Sequence, residues 1–285
     1  MTGAARRMAV IWISAGLGVA ALFSGLSYFP GSDIAKSRTA RTIEMLRGLD
    51  PMPRDIVVGS SMAQRAFPPH PNLAAPGQPP RRGLRLAMSC VEPKDIYQLI
   101  DAAIELGAER IFVGVNHLFY GIAPCEKIIG DTQGFAGFGP RLRSQIKWLV
   151  RGTSWVRATM AYESPWLDRT FKGERALMEK EAPPAFRASD PTPHLVRLLE
   201  KASRHGTEVH LFAVPRSDSW LRYIGARQEA DFGARLEALS RVVGRPVWRV
   251  AVSWPDHLFA DPGHVNRTGR ARFMDALREM LNGVS

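Results

Sequence analysis

The sequence predicts an α/β protein in which helices cover a parallel β-sheet. Three observations carry that expectation. Short apolar runs such as 55–59, 110–115 and 208–214 recur, each bounded by turn residues, which is how strands buried on both faces read. Longer segments between them place apolar residues at helical spacing. The order of strand, loop, strand, helix, strand is the alternation that builds parallel sheets. The 285 residues show no internal repeat and no second hydrophobic core with its own boundary, so one domain is the economical reading.

Taken in order, the first element is apolar. From Met8 to Phe29 no residue is charged. About 20 such residues span a bilayer core of roughly 30 Å. Residues 1–30 are therefore expected to be an N-terminal membrane anchor or signal-anchor, with Arg6 and Arg7 holding the N-terminus in the cytoplasm. A cleaved signal peptide is the competing expectation, although its apolar region ordinarily runs about 7–15 residues and no small-x-small site closes this one. Either way the remainder is placed outside the cytoplasmic membrane, in the periplasm if the cell is Gram-negative and otherwise outside the cell. Residues 31–54 read as linker and lead-in helix, and 55–285 as the main domain.

Within that domain, Asp55–Gly59 is a compact strand and Pro68–Pro80 a proline-rich loop. Leu84–Met88 is a second strand. Pro93–Leu106 carries Ile96, Leu99, Ile100, Ala103 and Ile104 at helical spacing and stops at Gly107. Arg110–Val115 is a third strand. Gly130–Pro140 is a glycine-rich loop, and Arg141–Glu181, with Trp148, Trp155 and Trp166, is expected to be helical and to lie over the substrate side. Thr192–His205 is an amphipathic helix, Glu208–Val214 a fourth strand closed by Pro215, and Asp231–Val243 a helix. Val247–Val252 is a fifth strand or extended piece, and Asn266–Leu281 the C-terminal helix.

Composition excludes several classes. With 45% hydrophobic and 23% charged residues the chain is neither intrinsically disordered nor a multi-span membrane protein. Lys and Arg number 38 against 27 Asp and Glu, a formal charge of +11. Such an excess attracts polyanions, membranes or anionic glycans, or simply solvates the surface. No nucleic-acid-binding motif accompanies it, and export argues against that partner. Two cysteines, Cys90 and Cys125, exclude a four-cysteine zinc site and a disulfide-rich scaffold.

In open parallel sheets, reactive groups gather at the carboxyl ends of strands. The first strand ends in Gly59-Ser60-Ser61, the second in Met88-Ser89-Cys90 and the third in Gly114-Val115-Asn116-His117. A serine on a tight strand-to-helix turn presents its hydroxyl at the sheet edge, where the helix N-terminus aims backbone N–H groups; as a lone motif it is as readily a helix cap. An asparagine at the third strand end can donate into the same crevice or simply form a turn. Near the C-terminus stands Asp261-Pro262-Gly263-His264-Val265-Asn266, followed by Thr268 and Gly269. An aspartate three residues before a histidine can orient and polarise its imidazole, which then serves a serine as general base. His117 and His257 lie near these motifs without a companion ligand cluster, so no metal is implied.

Together these motifs resemble the SGNH (GDSL-type) hydrolase superfamily over roughly residues 55–280. The resemblance implies a flavodoxin-like three-layer sandwich with a central parallel five-stranded sheet. It carries the nucleophile to Ser61, with Ser60 where the family has aspartate, and the acid-base pair to Asp261 and His264. It implies an oxyanion hole built from Ser61, Cys90 and Asn116, with Cys90 in place of the family's glycine. No cofactor is implied. Gly-Ser-Ser behind an N-terminal anchor is most similar to the DltD-like and alginate-acetylation-like envelope branch. That likeness implies an extracytoplasmic serine esterase or O-acyltransferase acting on acyl esters, acetyl esters first among them, of a cell-envelope or exopolysaccharide glycan. A membrane-bound O-acyltransferase is then a candidate partner, and the lipid bilayer is contacted through the N-terminal helix. Water as acceptor makes the protein an esterase, and a sugar hydroxyl makes it a transferase. A non-catalytic SGNH-like domain that binds glycan or scaffolds an acetylation complex is the alternative. In this fold the second and third strands flank the first, and an exported compartment is oxidising, so a Cys90–Cys125 disulfide across the site is expected, against two separate buried thiols.

Overall fold

The computed structural model describes residues 38–75, 77–88, 91–120, 163, 165–180 and 190–283. The apolar run 8–29, both cysteines and the tryptophan-rich stretch around Trp148 and Trp155 lie outside the described residues. Among the described residues, no helix is long and apolar enough to cross a membrane.

Helix α1 (Arg38–Arg47) leads into β1 (Asp55–Val58), the short helix α2 (Ser61–Ala66) and β2 (Gly83–Arg85). Then follow α3 (Pro93–Glu105), β3 (Arg110–Gly114) and α4 (Asn116–Phe119). After a 3-10 turn at Pro165–Asp168 come α5 (Arg175–Lys180), α6 (Thr192–Arg204) and β4 (Glu208–Ala213). The chain continues through β5 (Arg216–Ser217), α7 (Asp218–Ile224), α8 (Ala226–Val243), β6 (Val247–Arg249) and β7 (Ser253–Trp254). A 3-10 turn at Asp256–Leu258, the hairpin β8 (Phe259–Asp261) and β9 (His264–Val265), and α9 (Arg267–Asn282) complete it.

Five strands form one parallel sheet in the order β2-β1-β3-β4-β6. This is a doubly wound order, in which the chain reverses its direction of travel beside β1 and leaves a crevice at the carboxyl ends of β1 and β3. The alternation of side chains sorts the core into two layers. Ile56 and Val58 point to a face covered by α3, α6 and α8, through Ile96, Leu99, Leu195, Leu199, Phe232 and Leu236. Val57 points to the other, covered by α2, α7 and α9, through Met62, Ala66, Trp220, Phe273 and Leu277. All four residues of β1 are buried, as a central parallel strand requires.

Local chemistry sets the ends of the elements. Glu92 and Asp95 form a capping box around Pro93 at the start of α3. Gly244, at φ 64°, closes α8 in the left-handed region. The sequence predicts α8 only from Asp231, because residues 226–230 hold no apolar side chain larger than alanine, and it gives no sign of α7. That helix is begun by Ser217, whose hydroxyl accepts from the Trp220 N–H at 3.2 Å, and ends where Gly225 turns to φ 85°. Strands β2 and β6 are shorter than the apolar runs that announced them. The compact unit spans Thr39–Ser285 and includes α1, whose buried Thr39 hydroxyl donates to Asp95 at 2.7 Å.

The amino end of the sheet is tied by charge. The fully buried Asp55 carboxylate accepts from Arg110 at 2.7 and 2.9 Å and from Arg81 at 3.1 Å. Removing one partner from such a pair leaves a poorly compensated buried charge. Arg110→Met is expected to destabilise the fold by about 3 kcal/mol, the low end for a broken buried pair because Arg81 remains. Urea denaturation checks this, and an unchanged midpoint contradicts it.

Candidate active site

Ser61 is the first residue of α2, separated from the end of β1 by Gly59 and Ser60 alone. The tight geometry depends on Gly59. A Cβ there would stand 2.6 Å from the Ala63 Cβ, and its neighbour across the sheet is Gly114, itself within 3.4 Å of the Ala63 Cβ if it had one. The absence of two side chains lets α2 settle onto the ends of β1 and β3, which delivers Ser61 to the carboxyl edge. Ser60 is the buried N-cap, and its side chain makes no capping bond.

Asp261 and His264 occupy the turn of the β8–β9 hairpin. The Asp261 Oδ1 accepts from the backbone N–H groups of Gly263 at 3.0 Å and His264 at 2.9 Å, the local pairing that aspartate makes in tight turns. His264 Nδ1 lies 2.8 and 3.0 Å from the two carboxylate oxygens, and Nε2 lies 2.8 Å from Ser61 Oγ. Burial pushes the Asp261 pKa up, but the His264 charge, its hydrogen bond, the Gly263 N–H and the Arg65 charge together hold it below the ordinary aspartate value. An ionised carboxylate only accepts, so Nδ1 carries the proton and donates to it. In the neutral imidazole Nε2 is then left with its lone pair and accepts from the Ser61 hydroxyl. The three residues form one directed hydrogen-bond chain, with the imidazole placed to receive a proton from Ser61.

The loop that carries the pair is held by Asn266. Its Oδ1 caps α9 by accepting from the Gly269 N–H at 3.0 Å, while Nδ2 donates to the carbonyls of His257 at 2.8 Å and Phe259 at 3.2 Å. Gly269 is forced by contact, since a Cβ there would overlap the Leu258 carbonyl oxygen. An asparagine immediately before a helix was a legible cap signal; its second task, stitching the preceding loop, was not.

Asn116 is buried at the carboxyl end of β3, and its amide is committed to the chain after β4. Oδ1 accepts from the Val214 N–H at 2.8 Å and Nδ2 donates to the Val214 carbonyl at 3.0 Å. The second Nδ2 hydrogen is the one that could serve a ligand. The adjacent His117 Nε2 is bonded to the Val91 carbonyl, so α4 staples the segment after β2 as well. The structure thus brings Ser61, His264 and Asp261 into direct contact and places Asn116 at the neighbouring strand end. Cys90 and Cys125, and with them one expected oxyanion donor and the disulfide, lie outside the described residues. Among the described residues, no cluster of three or more histidine, cysteine or carboxylate side chains could hold a metal.

Comparison with known proteins gives no matching family model and no matching curated protein. The chemistry of the site therefore rests on its own geometry.

Because the folded Asp261 pKa is depressed, its ionisation contributes stability that is fully present above the unfolded aspartate value and is lost as pH falls through the folded one. From about pH 5 downwards, the stability difference between wild type and Asp261→Asn should shrink as pH falls below about pH 4. Urea denaturation at a series of pH values measures it; a difference that grows on acidification contradicts the assignment.

Proposed function

We propose that this protein is a serine esterase or O-acyltransferase of the SGNH type, and the Ser61–His264–Asp261 hydrogen-bond chain is the observation that carries the reading. In the proposed reaction Ser61 Oγ attacks the carbonyl carbon of an acyl ester as its proton passes to His264 Nε2. Asp261 holds the imidazole in the required tautomer and stabilises the imidazolium. The tetrahedral intermediate carries its negative charge on the former carbonyl oxygen, facing the Ser61 N–H, the Cys90 N–H and the remaining Asn116 Nδ2 hydrogen. Losing one such donor costs about 10²–10³ in rate. Collapse expels the alcohol, which takes the proton from His264, and leaves the acyl group on Ser61. Water or a sugar hydroxyl then attacks that ester, with His264 again as base, and regenerates the serine.

The remaining expectations support a location and a substrate class. The uncharged run 8–29 behind Arg6 and Arg7 supports a single-pass protein of the cytoplasmic membrane with its catalytic domain outside. That location and the cationic composition favour an acylated envelope or exopolysaccharide glycan as substrate, with a membrane-bound O-acyltransferase as the partner that would supply acyl groups.

The test is turnover of p-nitrophenyl acetate by the purified protein. Ser61→Ala and His264→Ala are each expected to lose nearly all activity, because nucleophile and base act as one unit. Asp261→Asn is expected to lose about 10⁴ in kcat, since an amide favours the wrong imidazole tautomer. Wild-type turnover by Ser61→Ala overturns the mechanism, and an inert wild-type protein turns the reading towards a binding domain.

A further inference from the structure

The nucleophile sits on a helix that cannot hold itself. Helix α2 has six residues, fewer than the roughly 12–15 at which isolated helices become even marginal. Its N-cap contributes no side-chain bond. At its other end the carbonyls of Gln64 and Arg65, left over by the helical ladder, meet two guanidiniums. Arg85, the last residue of β2, donates through Nη1 to the Gln64 carbonyl at 2.7 Å and the Phe67 carbonyl at 2.6 Å. Arg270, in the first turns of α9, donates through Nε to the Arg65 carbonyl at 2.8 Å and through Nη1 to Glu163 at 2.7 Å. Both are buried, at 1% and 7% exposure.

We propose that Arg270 and Arg85 are positioning residues for the nucleophile: they clamp the carbonyl end of α2 and so hold Ser61 Oγ within hydrogen-bond reach of His264 Nε2. The inference rests on the reading of Ser61 as nucleophile.

Three further observations support it. The two cations repel each other across the buried site. Burial first, and then the Arg270 charge, pull the Arg85 pKa down to about 10. Even with Glu163 paired to Arg270, buried cations are a poor way to stabilise a core, where apolar side chains of similar volume do as well or better; strained choices of this kind gather where function demands a geometry. Cations at a helix C-terminus also complement its dipole. Finally, α9 reaches both halves of the site. Asn266 at its start stitches the loop bearing Asp261 and His264, and Arg270, four residues on, bonds the nucleophile helix. One rigid helix therefore sets the distance between base and nucleophile.

The test uses side chains that match arginine atom for atom as far as Nε. In Arg270→Gln the amide nitrogen falls where Nε stands, and in Arg270→Met a methyl group does. Each purified full-length variant is assayed with p-nitrophenyl acetate below its melting transition. Arg270→Met is expected to lose on the order of 10- to 100-fold in kcat with KM within about twofold, because small misplacements of reacting groups carry penalties of that size. Arg270→Gln should stay within about threefold of wild type. Arg270→Lys, which keeps the charge without a donor at that position, should fall with the methionine variant and replaces it if that variant does not fold. Wild-type kcat in Arg270→Met or Arg270→Lys, or an equal fall in Arg270→Gln, overturns the clamp. Ser61→Ala run alongside separates the two ideas. If it matches wild type, the nucleophile reading falls and the clamp with it; if it is inactive while Arg270→Met is unimpaired, the clamp alone falls.

Discussion

The hydrogen bond from Ser61 Oγ to His264 Nε2 joins residues 203 positions apart in the chain at 2.8 Å, and most of what surrounds it serves that distance. On the serine side, the requirement is that α2 start close to the edge of β1, which works only because Gly59 offers no side chain to Ala63. On the histidine side, the requirement is that a two-residue turn be held rigid, which Asp261 does from within through the backbone N–H groups and Asn266 does from behind through the carbonyls of His257 and Phe259. The parallel sheet supplies the frame, because its doubly wound order opens a crevice where β1 and β3 end.

Charge takes part in the architecture rather than only coating it. The formal excess of +11 invites a surface reading, yet several arginines are interior ties. Arg110 and Arg81 close over the buried Asp55 at the amino end of the sheet. Arg85 and Arg270 meet the carbonyl end of α2, the helix that begins at Ser61. The guanidinium suits both tasks, since it stays protonated when buried and its donors can reach several acceptors at once. Net charge is therefore a weak guide to the partner here, and the proposed substrate class leans more on the uncharged N-terminal run 8–29 than on the basic composition.

Sequence patterning exposed the parts whose signals are local. Short buried strands, the helix that begins at Pro93 and stops before Gly107, and the Asp261–His264 pair just ahead of the C-terminal helix could all be read from neighbours within a few positions. The parts that stayed hidden depend on meetings between distant segments. Nothing near Arg85 in sequence shows that it will cap a helix ending at Ala66, and nothing near Asn116 shows that its amide will be shared with Val214. Helix α7 was missed for a different reason: it is short and bounded by Gly225, and its one large buried anchor, Trp220, gives no periodicity to detect.

The central claim is that Ser61 is a nucleophile activated by His264. The most direct measurement is covalent labelling with a fluorophosphonate followed by peptide mapping by mass spectrometry. The account predicts stoichiometric modification of Ser61 in the wild-type protein and almost none in His264→Ala. Modification of Ser60 instead, or labelling of Ser61 that proceeds at the same rate without the histidine, would contradict it.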